Sequence, residues 1–292
     1  MTVFRWSILF RTAEVGTGAG DLKVKAYTKE TLARLGLINP AIQARDYLRS
    51  VKFIRSNFDY FVRGTDDGIQ IPPLSLIVLV TGKPDIRLFL ETGRLAVSSI
   101  RETLMKQGLR PEDFTSMLDF GCGCGRVTRY WKDLANTTIC GADYNDRLLG
   151  WCKGYLDFGL FQRNSLYPPL EYNESSFDFI YALSVFTHLT QDLQVAWMNE
   201  LVRILRPGGY LLISTHGEYY LSQLNEAERI SFLSGNLVVK SHGPVGSNLL
   251  GAYHPVKYVS ETLSKGLSLM DFVPQGAKGN PFQDIYLFRK KQ

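Results

Sequence analysis

The sequence predicts an α/β fold in which a mainly parallel β-sheet carries helices on both faces. Short apolar runs typical of buried strands alternate with helical patterns from residue 117 onwards. A glycine-rich segment, residues 119–125, follows the first apolar run directly. The composition, 45% hydrophobic and 21% charged over 292 residues, supplies ample material for a core. Strand–helix alternation of this kind favours parallel strands with helices packed on both sides.

After the glycine-rich segment, predicted strands and helices alternate along the chain. Residues 160–162 form a weaker strand signal than the others, and the Arg-Pro-Gly-Gly stretch at 206–209 predicts the end of a helix. The helices are predicted at 126–135, 145–158 and 193–205, and the strands at 117–118, 138–143, 160–162, 177–183, 210–214, 267–273 and 284–288, the last two joined through a glycine-rich loop at 275–280.

Residues 1–110 are more than this α/β core requires, and they predict a helical N-terminal extension. Pro72 and Pro73 suit the first turn of a helix. An amphipathic helix is predicted over residues 83–108, with Gly93 as its weak point. The first sixty residues allow no assignment. We expect the extension to act as a substrate lid, and a dimer interface is the alternative.

Charge and cysteine content exclude several classes of protein. The net charge of +5 is scattered, with no basic and aromatic stripe of the kind that binds nucleic acid. No run approaches the ~20 apolar residues that span a membrane, and the N-terminus does not resemble a secretory signal. Cys122 and Cys124 lack the spacing of a zinc site. We therefore expect a reduced, cytoplasmic protein without a metal.

The glycine-rich segment reads Asp-Phe-Gly-Cys-Gly-Cys-Gly, and its three alternating glycines allow a tight turn and close approach of a ligand. A simple turn is one interpretation. A dinucleotide-binding site is another, but that motif is G-x-G-x-x-G. Here Arg126 stands where the third glycine belongs.

Three stretches, LDFGCGCGR, SVFTHL and LRPGGYL, resemble the class I S-adenosylmethionine (SAM) methyltransferases. The resemblance covers roughly residues 112–289. It implies a Rossmann-like sheet of seven strands with one antiparallel strand, formed by a domain at 111–292 that follows the extension at 1–110. It also implies SAM as the cofactor.

The resemblance assigns the cofactor contacts to four strand ends. Arg126 would bind the methionine carboxylate, or else lie on the surface of a helix. Asp143 would accept bonds from the ribose hydroxyls, or else cap the next helix, and residues 164–166 would contact the adenine edge, or else form a plain turn. The predicted cofactor residues are Asp119, Gly121, Cys122, Gly123, Gly125, Arg126, Asp143, Tyr144, Asn164, Ser165, Leu166 and Ser184.

His188 is the foremost catalytic candidate, because an imidazole with a pKa near 6.5 can accept a proton from a hydroxyl group during methyl transfer. A role in packing or beside the cofactor is the alternative. His216 and His254 are further candidates, and a polar pair, Gln283 and Asp284, could reach the acceptor or simply lie at a strand edge. The Asn-Pro-Pro-Tyr motif of enzymes that methylate DNA bases is missing, since Pro168-Pro169 precedes the relevant strand.

The sequence thus predicts a SAM-dependent methyltransferase that acts on a small molecule, such as a sugar or a secondary metabolite, at an oxygen atom. No nucleic-acid or membrane partner is expected, and a homodimer is an open alternative. An RNA or protein methyltransferase is one competing hypothesis. A SAM-binding protein without catalytic activity is the other.

Overall fold

The computed structural model describes residues 53–241 and 250–292. The first 52 residues of the predicted extension lie outside this range. The extension contributes three helices from residue 53 onwards: α1 (residues 53–63), α2 (Leu74–Thr81) and α3 (Ile86–Met105). Helix α2 follows Pro73 and helix α3 is capped by Asp85, whose side chain accepts a bond from the Leu88 N–H. Both helices were expected from the sequence, and α3 also passes through Gly93 without a break.

The α/β part follows in the predicted order. Its strands are β1 (Ser116–Phe120), β2 (Thr138–Asp143), β3 (Gly159–Arg163), β4 (Phe177–Ala182), β5 (Leu205–His216), β6 (Val238–Ser241), β7 (Leu250–Tyr253), β8 (Leu267–Ala277) and β9 (Gln283–Lys290). Its helices are α4 (Asp146–Tyr155), α5 (Gln191–Ile204), α6 (Glu226–Leu233) and α7, which is the short segment Val256–Tyr258 continued by a π-helical turn, Val259–Leu263.

Seven strands form the main sheet in the order β3-β2-β1-β4-β5-β9-β8. Strands β1 to β5 pair in parallel, and β9 is antiparallel to both neighbours. This arrangement confirms the predicted fold class. A further hairpin of β6 and β7 joins the end of β5 through the pairing of His216 with Tyr253. Because β9 runs backwards, its first residue, Gln283, pairs with His216, the last residue of β5.

Side chains of the sheet alternate between two apolar layers. Leu118 and Ile180 face the layer that contains Trp197 of α5. Met117 and Phe179 face the opposite layer, which contains Ile100 of α3. The sheet is therefore covered on both faces, as predicted. Among the described residues, no helix combines the length and the hydropathy needed to cross a bilayer.

Several details differ from the prediction, including helices α6 and α7, which were not expected. The helix expected at 126–135 is a series of turns with one 3₁₀ helix, Thr128–Trp131; its β-branched and aromatic residues have low helix propensity. The expected stop at residues 206–209 lies inside β5, where the pairing with β4 shifts register. The hairpin of β6 and β7 was not predicted, because its strands have only four residues each.

The extension packs directly on the glycine-rich segment. A mixed cluster joins Ile77 of α2 and Phe89 of α3 to Cys124 and to Leu148 of α4. The end of α2 also places Val80 over Gly123, where a Cβ atom on the glycine would lie 3.0 Å from Val80 Cγ2. Helix α3 approaches the last turn of the chain as well, because a Cβ on Gly279 would lie 2.1 Å from the Thr92 carbonyl oxygen.

Candidate functional site

The glycine-rich segment leaves β1 as a tight turn that only glycine fits. Gly121, Gly123 and Gly125 have φ values of 82°, 57° and 77°, all in the left-handed region. A Cβ atom on Gly121 would lie 2.4 Å from Val185 Cγ2, and one on Gly125 would lie 2.4 Å from Leu156 Cδ1. Cys122, which lies between Gly121 and Gly123, is buried. The turn therefore has a fixed shape, with its backbone at the carboxyl edge of the sheet.

Asp119, at the end of β1, is buried beneath this turn and accepts a hydrogen bond from the Thr128 hydroxyl. Burial raises the pKa of its carboxyl group to about 6, against the lowering effect of bonds from Thr128 and Tyr181. Most of the group is still ionised at pH 7. A buried carboxylate held in this way is a suitable partner for a cationic amino group.

Arg126 is also buried, so the interpretation that it lies on a helix surface is wrong. Its Nη1 donates to the Gly279 carbonyl oxygen and its Nη2 to Asn280 Oδ1, both at 3.1 Å. Burial lowers its pKa, and the attraction of Asp119 acts in the opposite direction. The guanidinium thus ties the glycine-rich segment to the turn between β8 and β9. A guanidinium has five N–H donors, so two bonds leave capacity for a ligand carboxylate.

Asp143, at the end of β2, holds the glycine-rich segment from the other side. Its Oδ2 accepts from the Gly123 N–H at 2.9 Å and its Oδ1 from the Asn145 N–H at 2.8 Å. The N-cap of α4 is Asn145, so helix capping does not account for Asp143. Burial raises the pKa of the carboxyl group. Each carboxylate oxygen has a further lone pair, as binding of a ribose diol requires.

Asn164, after β3, supplies an observation that points to a ligand. Its Nδ2 donates to the Ser165 carbonyl oxygen at 2.7 Å. Its Oδ1 is buried, and no described residue bonds to it. An unpaired buried acceptor is costly unless a ligand satisfies it. An exocyclic amine such as that of adenine would do so, and the nearby glycine turn and Asp143 therefore fit SAM.

The neighbours of Asn164 differ in accessibility. Ser165 is exposed, and Tyr144, after β2, is 43% exposed. Leu166 is partly buried against the core, and its carbonyl oxygen accepts a bond from the Trp197 indole. Tyr144 and Ser165 therefore have exposed side chains, whereas Leu166 is partly buried and its carbonyl group is engaged.

Ser184 follows β4 with φ at 59°, an unusual value for a residue other than glycine. Its N–H donates to Ser214 Oγ at 2.8 Å, and its hydroxyl accepts from Gln283 Nε2 at 2.9 Å. The Ser214 hydroxyl in turn donates to Gln283 Oε1 at 2.7 Å. A closed network therefore joins the ends of β4, β5 and β9. Gln283, the first residue of β9, therefore lies at this edge and bonds to both serines.

His188 and His216 lie at the same edge. His188 Nδ1 bonds to the Leu250 carbonyl oxygen at 2.9 Å and His216 Nδ1 to the Ala252 carbonyl oxygen at 3.2 Å. A carbonyl oxygen only accepts, so in both rings Nδ1 carries the proton and Nε2 is the basic atom. Burial lowers both pKa values, that of His216 to about 4 with a further contribution from His188. Gln283 Nε2 lies 3.5 Å from His216 Nε2.

His254 is placed differently from these two histidines. It is fully buried, its Nε2 bonds to Gln194 Oε1 at 3.2 Å, and burial lowers its pKa to about 3. Gln194 Nε2 donates to the carbonyl oxygens of Phe186 and Leu189. His254 therefore supports the turn that carries His188. The sequence offered no signal for Gln194, because a polar residue within an amphipathic helix normally faces water.

Comparisons with known proteins agree with this geometry. Residues 118–213 match a family model described as a methyltransferase domain. The tRNA (carboxymethyluridine(34)-5-O)-methyltransferase alkbh8 of Xenopus tropicalis is 30% identical over 142 residues, which are 44% of this chain and 22% of that protein. Methyltransferase GfsG of Streptomyces halstedii is 33% identical over 103 residues, 34% of this chain and 36% of that protein. The chain thus matches about a fifth to a third of these relatives' lengths.

A solved structure shows the same fold. A putative S-adenosylmethionine-dependent methyltransferase from Listeria monocytogenes superposes with a TM-score of 0.51 at 14% identity, covering 67% of this chain and 99% of that one. The matched domain is a methyltransferase domain, and the fold is that of this S-adenosylmethionine-dependent methyltransferase, as the resemblance of the motifs indicated. SAM is accordingly the cofactor that the domain indicates.

Proposed function

We propose that this chain, which carries a class I SAM-dependent methyltransferase domain, transfers a methyl group to a hydroxyl oxygen of a small-molecule acceptor. The single observation that carries the proposal is the arrangement of His188. Its Nδ1–H is bonded to Leu250, so its basic Nε2 remains for an acceptor proton at the end of β4. A neutral imidazole in this tautomer is the form that a general base requires.

In the proposed mechanism the residues of the chain position SAM and the acceptor, and they remove the proton of the acceptor hydroxyl. SAM supplies a methyl group already activated by its sulfonium. Asp143, Asn164 and the glycine-rich segment hold the adenosine end, and Asp119 with Arg126 faces the amino-acid end. His188 accepts the acceptor proton. Because burial lowers the pKa of His188 below its ordinary value, the ring is neutral at pH 7.

A small acceptor is supported by the packing of the extension. Helix α2 lies against the glycine-rich segment through Val80, and α3 packs beside it. We therefore keep the interpretation of residues 1–110 as a lid, with dimerisation through this segment as the alternative. The scattered net charge of +5 also favours a small acceptor over a polyanion. We propose a cytoplasmic location on the same grounds of composition.

Two measurements test the cofactor and the reaction separately. Isothermal titration with SAM and with S-adenosylhomocysteine (SAH) should give saturable binding, and Asp143→Ala should weaken it at least about 100-fold because two bonds to a charged group are lost. Asp146→Ala is the matched control, since this carboxylate is exposed and pairs with Arg163. If the chain bound neither SAM nor SAH, the proposal would be wrong.

Methyl transfer is tested with labelled SAM and a cell extract separated by size. We expect label in small-molecule products other than SAM itself. His188→Ala should lose this product label while it still binds SAM. Normal SAM binding without any label would favour a SAM-binding protein that lacks catalytic activity.

An RNA acceptor is the second candidate, because the matched relative from Xenopus tropicalis is named as a tRNA methyltransferase. Label in the RNA fraction, with activity that falls steeply as salt rises, would support it. Label in the protein fraction would support a protein acceptor. Either result would replace the small-molecule proposal.

A further inference from the structure

Two stacked aromatic rings lie next to the paired ends of β5 and β9, which carry His216 and Gln283. Tyr219, just after β5, and Phe282, just before β9, have ring centroids 4.0 Å apart at an interplanar angle of 10°. We call this pair the aromatic platform. The two residues are 47% and 46% exposed. The pairing of His216 with Gln283 fixes the position of the platform, because Phe282 directly precedes Gln283.

The platform is held in place at a cost in free energy. Phe282 has φ at 62°, and positive φ is a genuine outlier for a bulky residue. Tyr220 fixes the same turn, since its hydroxyl donates to the Pro281 carbonyl oxygen at 2.9 Å. Backbone strain that leaves two large aromatic rings half exposed does not serve core packing. Strain of this kind clusters at functional sites.

The platform continues into the proposed catalytic edge through further rings. Tyr220 meets Tyr219 edge to face at 5.6 Å, and it lies 4.2 Å from the imidazole of His216. Tyr253 packs against both rings, with its centroid 5.6 Å from that of His216 and 6.2 Å from that of Tyr220. The platform is therefore connected to His216 through the ring of Tyr220 and to Gln283 through the backbone of Phe282. Gln283 in turn bonds to Ser184.

The chemistry of this edge favours an acidic hydroxyl group. Both imidazoles are neutral at pH 7, because burial lowers their pKa values, so the edge carries no cationic ring. A base with a lowered pKa is matched to an acceptor that loses its proton readily. A phenolic hydroxyl has a pKa of about 10, far below that of an alkyl alcohol. An aromatic acceptor ring would also be stabilised by stacking on the platform, beyond the effect of the area it buries.

We propose that the methyl acceptor is an aromatic hydroxyl compound whose ring stacks on Tyr219 and Phe282 and whose hydroxyl points to the edge formed by His188, His216 and Gln283. This inference rests on the proposed function and names its acceptor class. The phenolic oxygen forms the new O–C bond while the S–C bond of the sulfonium breaks. The electron pair of the broken S–C bond stays on sulfur. The phenolic proton passes to His188 Nε2 and then to water.

The test compares naphthol with its saturated counterpart, decahydronaphthol, as probes. Both are titrated calorimetrically into the full chain saturated with SAH, and then offered as acceptors with labelled SAM. We expect naphthol to bind at least ten times more tightly and to be methylated at its oxygen. Tyr219→Leu and Phe282→Leu should each weaken naphthol binding about tenfold while SAH binding stays within twofold.

Tyr155→Leu is the matched control, because Tyr155 is 44% exposed and stacks on Trp151 with ring centroids 3.8 Å apart. It should change neither titration. Equal binding of the two probes, binding of neither, or unchanged binding in both platform variants would overturn the inference. Failure of the proposed function shows itself differently, as a failure of the unmodified chain to bind SAH.

Discussion

The side-chain amide of Gln283 donates a hydrogen bond to the Ser184 hydroxyl at 2.9 Å, although the residues stand 99 positions apart. The same side chain accepts from Ser214 at 2.7 Å. One residue of the last strand therefore fixes the ends of two central strands. The turn that carries His188 begins immediately after Ser184, so its position depends on β9.

Gln283→Met keeps the size of the side chain and removes both bonds. Leaving Ser184 and Ser214 without these partners should lower the free energy of unfolding by about 2 kcal/mol. It should also slow methyl transfer. Urea unfolding measures the first effect. Gln162→Met is the control, because the Gln162 side chain bonds to Glu171 in an exposed position. Equal stability of the two variants would show that the network has no energetic weight.

The pH dependence of turnover identifies the base. His188 has a lowered pKa, so kcat should be level near pH 7 and should fall only as the pH drops through that lowered value. His188→Gln should reduce kcat about 100-fold or more and abolish the acidic limb of the profile. His254→Gln is a useful comparison, since this buried ring supports the turn without reaching the edge. An acidic limb that persists in His188→Gln would assign the base elsewhere.

Asp67 ties the extension to the α/β domain through Arg129. The guanidinium is almost wholly buried and its Nε lies 2.6 Å from Asp67 Oδ2. Burial acts to raise the pKa of Asp67, but the bonds from Arg129 and Thr65 outweigh it, and the net pKa is lowered. The pair therefore stabilises the fold above the ordinary carboxyl pKa, and the effect disappears as the pH falls through the lowered value.

Asp67→Asn should lower the free energy of unfolding at pH 7 by about 3 kcal/mol, because it leaves a buried charge without its partner. Thermal unfolding followed at several pH values measures this difference, which should shrink below about pH 4. Asp66→Asn changes the adjacent exposed carboxylate and should have little effect. A difference that stays constant with pH would contradict the electrostatic explanation.

Gly93 lies against the backbone of the segment that follows the glycine-rich turn. A Cβ atom there would lie 2.1 Å from the Arg126 carbonyl oxygen, so Gly93→Ala should destabilise the protein by more than about 2 kcal/mol. Gly150→Ala, in α4, meets no atom within 4 Å and should stabilise by about 0.5–1 kcal/mol. Urea unfolding of both variants checks the opposite signs. Stabilisation by Gly93→Ala would mean that α3 is free to move away.

Local patterns were sufficient for seven of the nine strands in the described residues, and they placed the proposed cofactor residues at strand ends. The glycine-rich segment, Asp143 and Asn164 each follow a strand, and strand ends in a parallel sheet meet at one edge. Asn164 was inferred from the resemblance to the methyltransferases, and its unpaired Oδ1 supports the inference. The sequence also anticipated Gly93 as a special position, but as a weak point of α3 and not as a contact.

Tertiary contacts explain what the sequence could not predict. The helix expected after Arg126 is broken, because Thr128 bonds to Asp119 and Arg129 turns toward Asp67. Gln194 and His254 support His188 from positions 6 and 66 residues further along the chain, and no local pattern connects them. The platform of Tyr219 and Phe282 depends on the pairing of β5 with β9, which joins distant segments.

Gly279 has a consequence for how the chain can be recombined. Its carbonyl group binds Arg126, and its Cα faces the Thr92 carbonyl oxygen so closely that a Cβ would lie 2.1 Å away. Helix α3, the glycine-rich turn and the hairpin of β8 and β9 are therefore closely packed around Gly279. A chimera that exchanges the N-terminal segment alone would have to preserve this packing. The packing of the extension thus depends on the C-terminal hairpin, and an exchange of the extension alone would disturb both.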